Sequence, residues 1–228
     1  MQHRDLVRRG ILDVLPMFVP AIPFALVLGV VIVDSGLGRL LGWSSAPLMF
    51  GGAAQISLIS LLGEGASVSA AVSAALIIGA RHLLYSATLA PEFQRQPRWF
   101  RWLGPYMLID QVFALSVLRK GTDPDAFRVY YLTIGATFWT LWLTTCALGL
   151  VLGPLIPGSW KLVFAAPVLF TALLVVAADR WQKVLAALVA AAVTLLLAAL
   201  PNRSGLLLGA LTGIGAGMLA DALVRWRR

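Results

Sequence analysis

Charge is scarce in this chain of 228 residues: Asp, Glu, Lys and Arg supply 12% of it, and 60% is hydrophobic. The mean hydropathy is +0.87. A soluble domain carries about 25% charged and about 45–50% apolar residues. A globule of this composition has too little polar surface to face water, so lipid must be its main solvent. Histidine is confined to His3 and His82, and cysteine to Cys146. A single thiol excludes an intrachain disulfide framework and a thiolate metal cluster. The chain also lacks HExxH, GxSxG and P-loop patterns, which argues against a zinc protease, a serine hydrolase and an ATP-driven pump carrying its own nucleotide site. No enzyme activity and no cofactor or metal are expected.

Long apolar runs are abundant. Uncharged stretches cover Val14–Val33, Leu40–Gly63, Val129–Trp160, Leu162–Ala178, Val184–Asn202 and Ser204–Ala220. Two more, Gly65–Pro91 and Leu103–Leu118, are interrupted by ionisable residues. Crossing about 30 Å of hydrocarbon takes roughly 17–25 apolar residues. The pattern predicts an all-α polytopic membrane protein with about eight hydrophobic segments, some broken or re-entrant. The connecting loops are too short for a second domain, so residues 1–228 are read as one transmembrane domain. Met1–Arg9, with Arg4, Arg8 and Arg9, gives the first run a signal-like start. Its length and the lack of a small-residue cleavage pattern predict a retained first membrane segment.

The net charge is +8. In a membrane protein that excess reflects basic residues in short cytoplasmic loops, not a nucleic-acid partner. With every segment spanning and both termini cytoplasmic, Arg95, Arg98 and Arg101 fall on the wrong side. Treating the second and fourth segments as re-entrant or broken moves that cluster inside.

Ionisable groups inside membrane segments cost about 2.5–3.5 kcal/mol each on insertion scales and tend to be functional. Arg81, His82 and Asp110 are such groups. Arg81 and Tyr85 are four residues apart, as are His82 and Ser86, so each pair shares a helix face. Asp110 is the natural counter-charge for Arg81, because an unpaired buried charge is far more costly than a paired one. The pair reads either as a clamp between segments or as a charge pair beside a solute path. His82 reads either as a hydrogen-bonding residue or, with Asp110, as a proton-coupling group. Gln55 follows the small residues Gly51, Gly52, Ala53 and Ala54. Its amide either binds the charged end of a zwitterion or bridges helices. Pro16, Pro20 and Pro23 remove backbone donors from the first segment, giving a kink or a broken helix that exposes carbonyls to a solute. The candidate solute-binding residues are therefore Pro20, Pro23, Gln55, Ser57, Arg81, Tyr85 and Asp110. Gly205, Gly209, Gly213 and Gly217 form a small-residue stripe for packing within the chain or against a partner helix. Phe138, Trp139 and Trp142 are read as packing residues.

The chain resembles the AzlC-type branched-chain amino acid permease family. The likeness rests on Pro20–Phe24 (PAIPF), Phe50–Gln55 (FGGAAQ), Arg81–Pro91 (RHLLYSATLAP), Asp110–Phe113 (DQVF) and Phe164–Val175 (FAAPVLFTALLV), followed by Asp179–Arg180. Gln55, Arg81, His82, Tyr85, Pro91 and Asp110 fall on motif positions. The resemblance implies a large subunit exporting valine, leucine, isoleucine or related neutral amino acids across a bacterial inner membrane. It also implies the proton motive force as driver and a small AzlD-type membrane subunit as partner. The chain departs from the family pattern at Gly79, at Pro20 or Ala25, and across Ile109–Gln111, where Gln111 replaces an acidic proton-carrier candidate. The competing reading is a non-transporting membrane scaffold whose polar residues are structural.

Overall fold

The computed structural model describes residues 3–155, 171, 178, 180–198, 200 and 204–226. Most of the apolar run Leu162–Ala178, the family-like stretch Phe164–Val175 and Asp179 lie outside the described residues. Those described form helices and no strands. They are α1 (His3–Phe18), α2 (Ile22–Asp34), α3 (Arg39–Leu48), α4 (Gly52–Gly63), α5 (Val68–Gly79) and α6 (Arg81–Gln94). Then come α7 (Arg98–Leu103), α8 (Asp110–Val117), α9 (Pro124–Leu152), α10 (Trp181–Leu196) and α11 (Ser204–Trp226).

The long helix α9 is the axis of the bundle. Its start is fixed by Asp123, whose carboxylate accepts from the Asp125 and Ala126 amides at 3.0 Å, with Pro124 in the first turn. Both are standard helix-start chemistry. Tyr131, Ile134, Phe138, Trp142 and Cys146 recur at three- and four-residue spacing and are buried, which turns one stripe of α9 inward. The α1–α2 rod lies parallel to it. Gly10 meets Thr133, Phe18 stacks edge-on against Phe138 at 5.1 Å, and Gly29 crosses at Gly149. A β-carbon on Gly29 would sit 2.4 Å from the Leu150 amide nitrogen. The small residues therefore let the two backbones touch.

Two helical stretches, His3–Asp34 and Pro124–Leu152, are long and apolar enough to cross a membrane. The pair α5–α6, bent by 41°, makes a third if taken as one span. Among the described residues, two or three stretches are long and apolar enough to span, and the other apolar helices are shorter. The second and fourth hydrophobic segments each fold into a hairpin, because a break interrupts each at mid-length. In the first hairpin, α3 starts beside Ile32 near the end of α2, and its Trp43 indole donates to the Leu143 carbonyl at 3.5 Å. The chain breaks at Met49–Gly51. Helix α4 then leaves from the Phe24–Trp142 level and returns to Ser35 at Gly63. In the second hairpin, Phe100 and Gly104 pack on Tyr131, and Met107 packs on Gly135. The chain turns at Leu108–Ile109, and α8 runs back toward the start of α9.

That second hairpin leaves and re-enters one end of the bundle. Buried Glu92, near the end of α6, accepts from the Gly121 amide at 2.9 Å, and Gln96 donates to the Pro124 carbonyl at 2.9 Å. Gly121 has a φ of +77°, a conformation that favours glycine. The start of α1 reaches the same end, where His3 and Leu6 share a cavity with Arg119 and Asp123. Arg4, Arg8, Arg9, Arg95, Arg98, Arg119, Lys120 and Arg128 therefore gather at one basic end. The opposite end holds Arg39.

Helices α10 and α11 pair antiparallel along Gly205, Gly209, Gly213 and Gly217, whose β-carbons would meet Leu197, Thr194, Ala190 and Ala186. The small-residue stripe thus packs within the chain.

In a Cys146→Ser background, Arg98→Cys and Lys120→Cys should react with an impermeant thiol reagent from the same side of the membrane, and Arg39→Cys from the other. Labelling of Arg98→Cys and Lys120→Cys from opposite sides would contradict the second hairpin.

Candidate functional site

Four helices begin at one level of the bundle: α2 at Ile22, α4 at Gly52, α6 at Arg81 and α8 at Asp110. Their starts fall at nearly equal intervals along the chain. The 3₁₀ turn Val19–Ala21 precedes α2, and the hairpin break at Met49–Gly51 precedes α4. The bend at Ala80 precedes α6, and the turn Leu108–Ile109 precedes α8. None of these starts carries a side-chain cap. The first amides of a helix lack intrahelical partners, and its dipole leaves partial positive charge there.

A cavity of about 220 Å³ lies where the starts meet. Pro20 and Ala21 line it from the first break, Gly51, Gly52 and Ala53 from the second. Arg81, His82, Ile109, Asp110 and Gln111 complete the polar side. Phe24, Phe50, Phe138 and Trp142 form an aromatic wall. Phe138 and Trp142 belong to the middle of α9, so the cavity sits at mid-height. Gly52 lets the wall close on the start of α4, since a β-carbon there would lie 2.5 Å from the Phe24 ring and 2.6 Å from that of Trp142.

Arg81 and Asp110 form the expected ion pair, with Nη1 and Oδ2 3.2 Å apart and side chains 40% and 42% exposed. Each stands in the first turn of its helix, so the bond ties α6 to α8. Arg81 Nε, Asp110 Oδ1 and the Trp142 indole nitrogen are buried without hydrogen-bond partners. An unsatisfied buried polar group costs about 1–3 kcal/mol. Three of them around one cavity mark a place where a ligand, or another arrangement of the helices, completes the bonding.

His82 lines the cavity and its Nδ1 lies 2.8 Å from the Gly79 carbonyl, which places a proton on Nδ1 and turns Nε2 outward from that bond. Tyr85 is one turn further along α6, stacked on Phe113 at 4.3 Å and edge-on to His82 at 5.7 Å. Tyr85 does not line the cavity; it supports the His82 ring from below. Gln55 is fully buried behind the hairpin tip and does not line the cavity either. Its Nε2 donates to Ser45 Oγ at 2.7 Å, and that hydroxyl donates to the Gly42 carbonyl at 2.5 Å. Gln55 thus bridges α4 to α3, while its Oε1 stays unpartnered. Ser57 is half-buried farther along α4, and Pro23 is exposed one residue into α2; neither lines the cavity. Pro91 is exposed toward the far end of α6. Sequence reasoning missed the aromatic wall. Phe24 and Phe50 sat inside the PAIPF and FGGAAQ stretches, where their positions next to helix breaks were the available signal.

The hairpin tips meet beside the cavity. Phe50 lies 6.1 Å from Tyr106, the Tyr106 hydroxyl donates to the Pro47 carbonyl, and it accepts from the Trp139 indole at 2.9 Å.

The family described as AzlC protein matches residues 16–156, a stretch containing every residue that lines the cavity. An uncharacterized membrane protein of Archaeoglobus fulgidus is 28% identical over 146 residues, covering 64% of this chain and 62% of the archaeal one. The inner membrane protein YgaZ of Escherichia coli is 27% identical over 217 residues, covering 90% of this chain and 88% of its own length. No solved structure matches the chain.

Removing one partner of a part-buried ion pair leaves the other charge uncompensated. Arg81→Met and Asp110→Asn alone should each lower thermal stability in detergent, and the double variant should recover part of the loss. Additive losses in the double variant would show that the two charges do not depend on each other.

Proposed function

The chain belongs to the AzlC family, and on that premise we propose that it is the large subunit of a membrane transporter exporting branched-chain or related small neutral amino acids. The observation that carries the reading is the convergence of four uncapped helix starts and one ion pair on a mid-height cavity with aromatic walls. Broken helices whose ends face a midplane cavity are how many transporters present backbone groups to a solute.

The chemistry suits a small zwitterion. Backbone amides at Gly52 and Ala53, together with the Arg81 guanidinium, provide donors for a carboxylate. Asp110 and the freed carbonyls near Pro20 attract an ammonium. Phe24, Phe50, Phe138 and Trp142 supply apolar surface for a side chain. At about 220 Å³ the cavity is smaller than the roughly 300–1,000 Å³ of sites for drug-sized ligands, which favours a small metabolite. Gln55 shapes the site by holding α4 on α3.

In the bilayer, the hydrophobic segments comprise spans and re-entrant hairpins, with the basic end in the cytoplasm as the positive-inside rule requires. Both termini are assigned to that side, in a bacterial inner membrane. The two hairpins enter from opposite faces and meet at Phe50–Tyr106. Rocking them alternately exposes the cavity to either side. His82 and Asp110 are the groups assigned to coupling with the proton motive force, and a small AzlD-type membrane subunit is the assigned partner.

Cells loaded with valine, leucine and isoleucine should export them several-fold faster when the chain and its partner are expressed together. Asp110→Asn at normal abundance should slow export about tenfold, in keeping with a charged hydrogen bond worth roughly 1.5–3 kcal/mol. Equal efflux of all three with and without the pair would overturn the substrate assignment.

A further inference from the structure

We propose that the protein has a second solute-binding site, at the basic mouth of the same pathway, built from Asp13, Arg119 and Tyr130. Its ligand is the same class of small zwitterionic amino acid, so it rests on the transport reading.

Asp13 lies on α1 toward the basic end, where the Tyr130 hydroxyl donates to its Oδ2 at 2.6 Å. The Arg119 guanidinium stands over the Tyr130 ring, 4.5 Å from its centroid. Cavities of about 560 and 360 Å³ share Arg119, Thr122 and Tyr130 in their walls. The larger also takes in Asp13 and Arg9. Carboxylate and guanidinium are also the groups that Asp110 and Arg81 contribute at mid-height. The arrangement differs in one respect. Arg81 is bound to Asp110, whereas Arg119 is held on the tyrosine ring, and among the described residues Asp13 makes no salt bridge. A carboxylate balanced only by a phenol has room for an ammonium, and Arg119 and Arg9 are placed for the ligand's carboxylate.

The proposed route from the mouth to the mid-height cavity runs between α1 and α8, whose residues line both. Asp13 and Met17 on α1 line the mouth, and Pro20 in the 3₁₀ turn that follows lines the cavity, at spacings of four and three residues. On α8, Leu115 lines the mouth and Gln111 the cavity, and Leu118, just past the end of α8, also lines the mouth. The two compartments are one helical turn apart, about 5.4 Å of rise. Met17 and Leu115 close that turn with flexible apolar side chains. A solute leaving Asp110 is handed to Asp13 by moving about two helical turns along that route.

The test is saturable binding of tritiated leucine to the full chain in nanodiscs. The wild type should show two components, one lost in Asp13→Asn and the other in Asp110→Asn. Tyr130→Phe should weaken the Asp13-dependent component several-fold. A second readout covers failure of Asp13→Asn to fold: in Cys146→Ser, modification of Leu115→Cys by a small charged thiol reagent should slow several-fold with leucine. If Asp13→Asn and Tyr130→Phe bind as the wild type does, the Asp13–Tyr130 bond is only a helix tie and the proposal falls, while the Asp110 site stands. Unslowed modification of Leu115→Cys also overturns it. No saturable leucine binding by the wild type overturns both this site and the transport reading.

Discussion

A backbone amide or carbonyl in hydrocarbon must be bonded within the protein or to something hydrophilic, and that requirement governs where this chain is allowed to stop being helical. It stops four times at one level, before Ile22, Gly52, Arg81 and Asp110. Breaks scattered through the bundle would each need a separate polar remedy. Gathered around one cavity, they share an ion pair, a histidine and the hydroxyl and indole groups of Tyr106 and Trp139. The unbroken helix α9 makes this possible, because its stripe of small and aromatic residues gives both hairpins and the α1–α2 rod a common surface.

Electrostatics then separates holding from binding. The Arg81–Asp110 bond joins two helix starts while both side chains remain near two-fifths exposed, so the charges are partly available to a ligand. At the far end, buried Glu92 fastens α6 to the loop after α8, and Gln96, just past α6, bonds the first residue of α9. Helices α6 and α8 are thus tied at both ends, firmly at the basic end and by one ion pair at mid-height. Motion that admits a solute is easiest where the tie is weaker.

Much of this was legible in the sequence, for identifiable reasons. Prolines at 16, 20 and 23 pointed to a kink or a break in the first segment, whereas the glycines at 51 and 52 were read only as small residues beside Gln55. The cost of an unpaired charge in lipid was enough to match Arg81 with Asp110 across nearly thirty residues of sequence. The misplaced cluster Arg95, Arg98 and Arg101 was the one sign that a segment turns back; hydropathy alone measures how long a run is and carries no information about its direction. The meeting of the two hairpin tips, the wall of Phe24, Phe50, Phe138 and Trp142, and the burial of Gln55 against Ser45 depend on contacts between distant segments. Spacing along one helix cannot reveal these.

The central claim is that the helix starts at mid-height open onto a hydrophilic space. Amide hydrogen exchange of the full chain in nanodiscs tests it most directly. Peptides covering residues 50–54 and 109–112 should exchange far faster than the middle of α9 and become protected when leucine is added. Exchange at those starts as slow as around Phe138, unchanged by leucine, would contradict it.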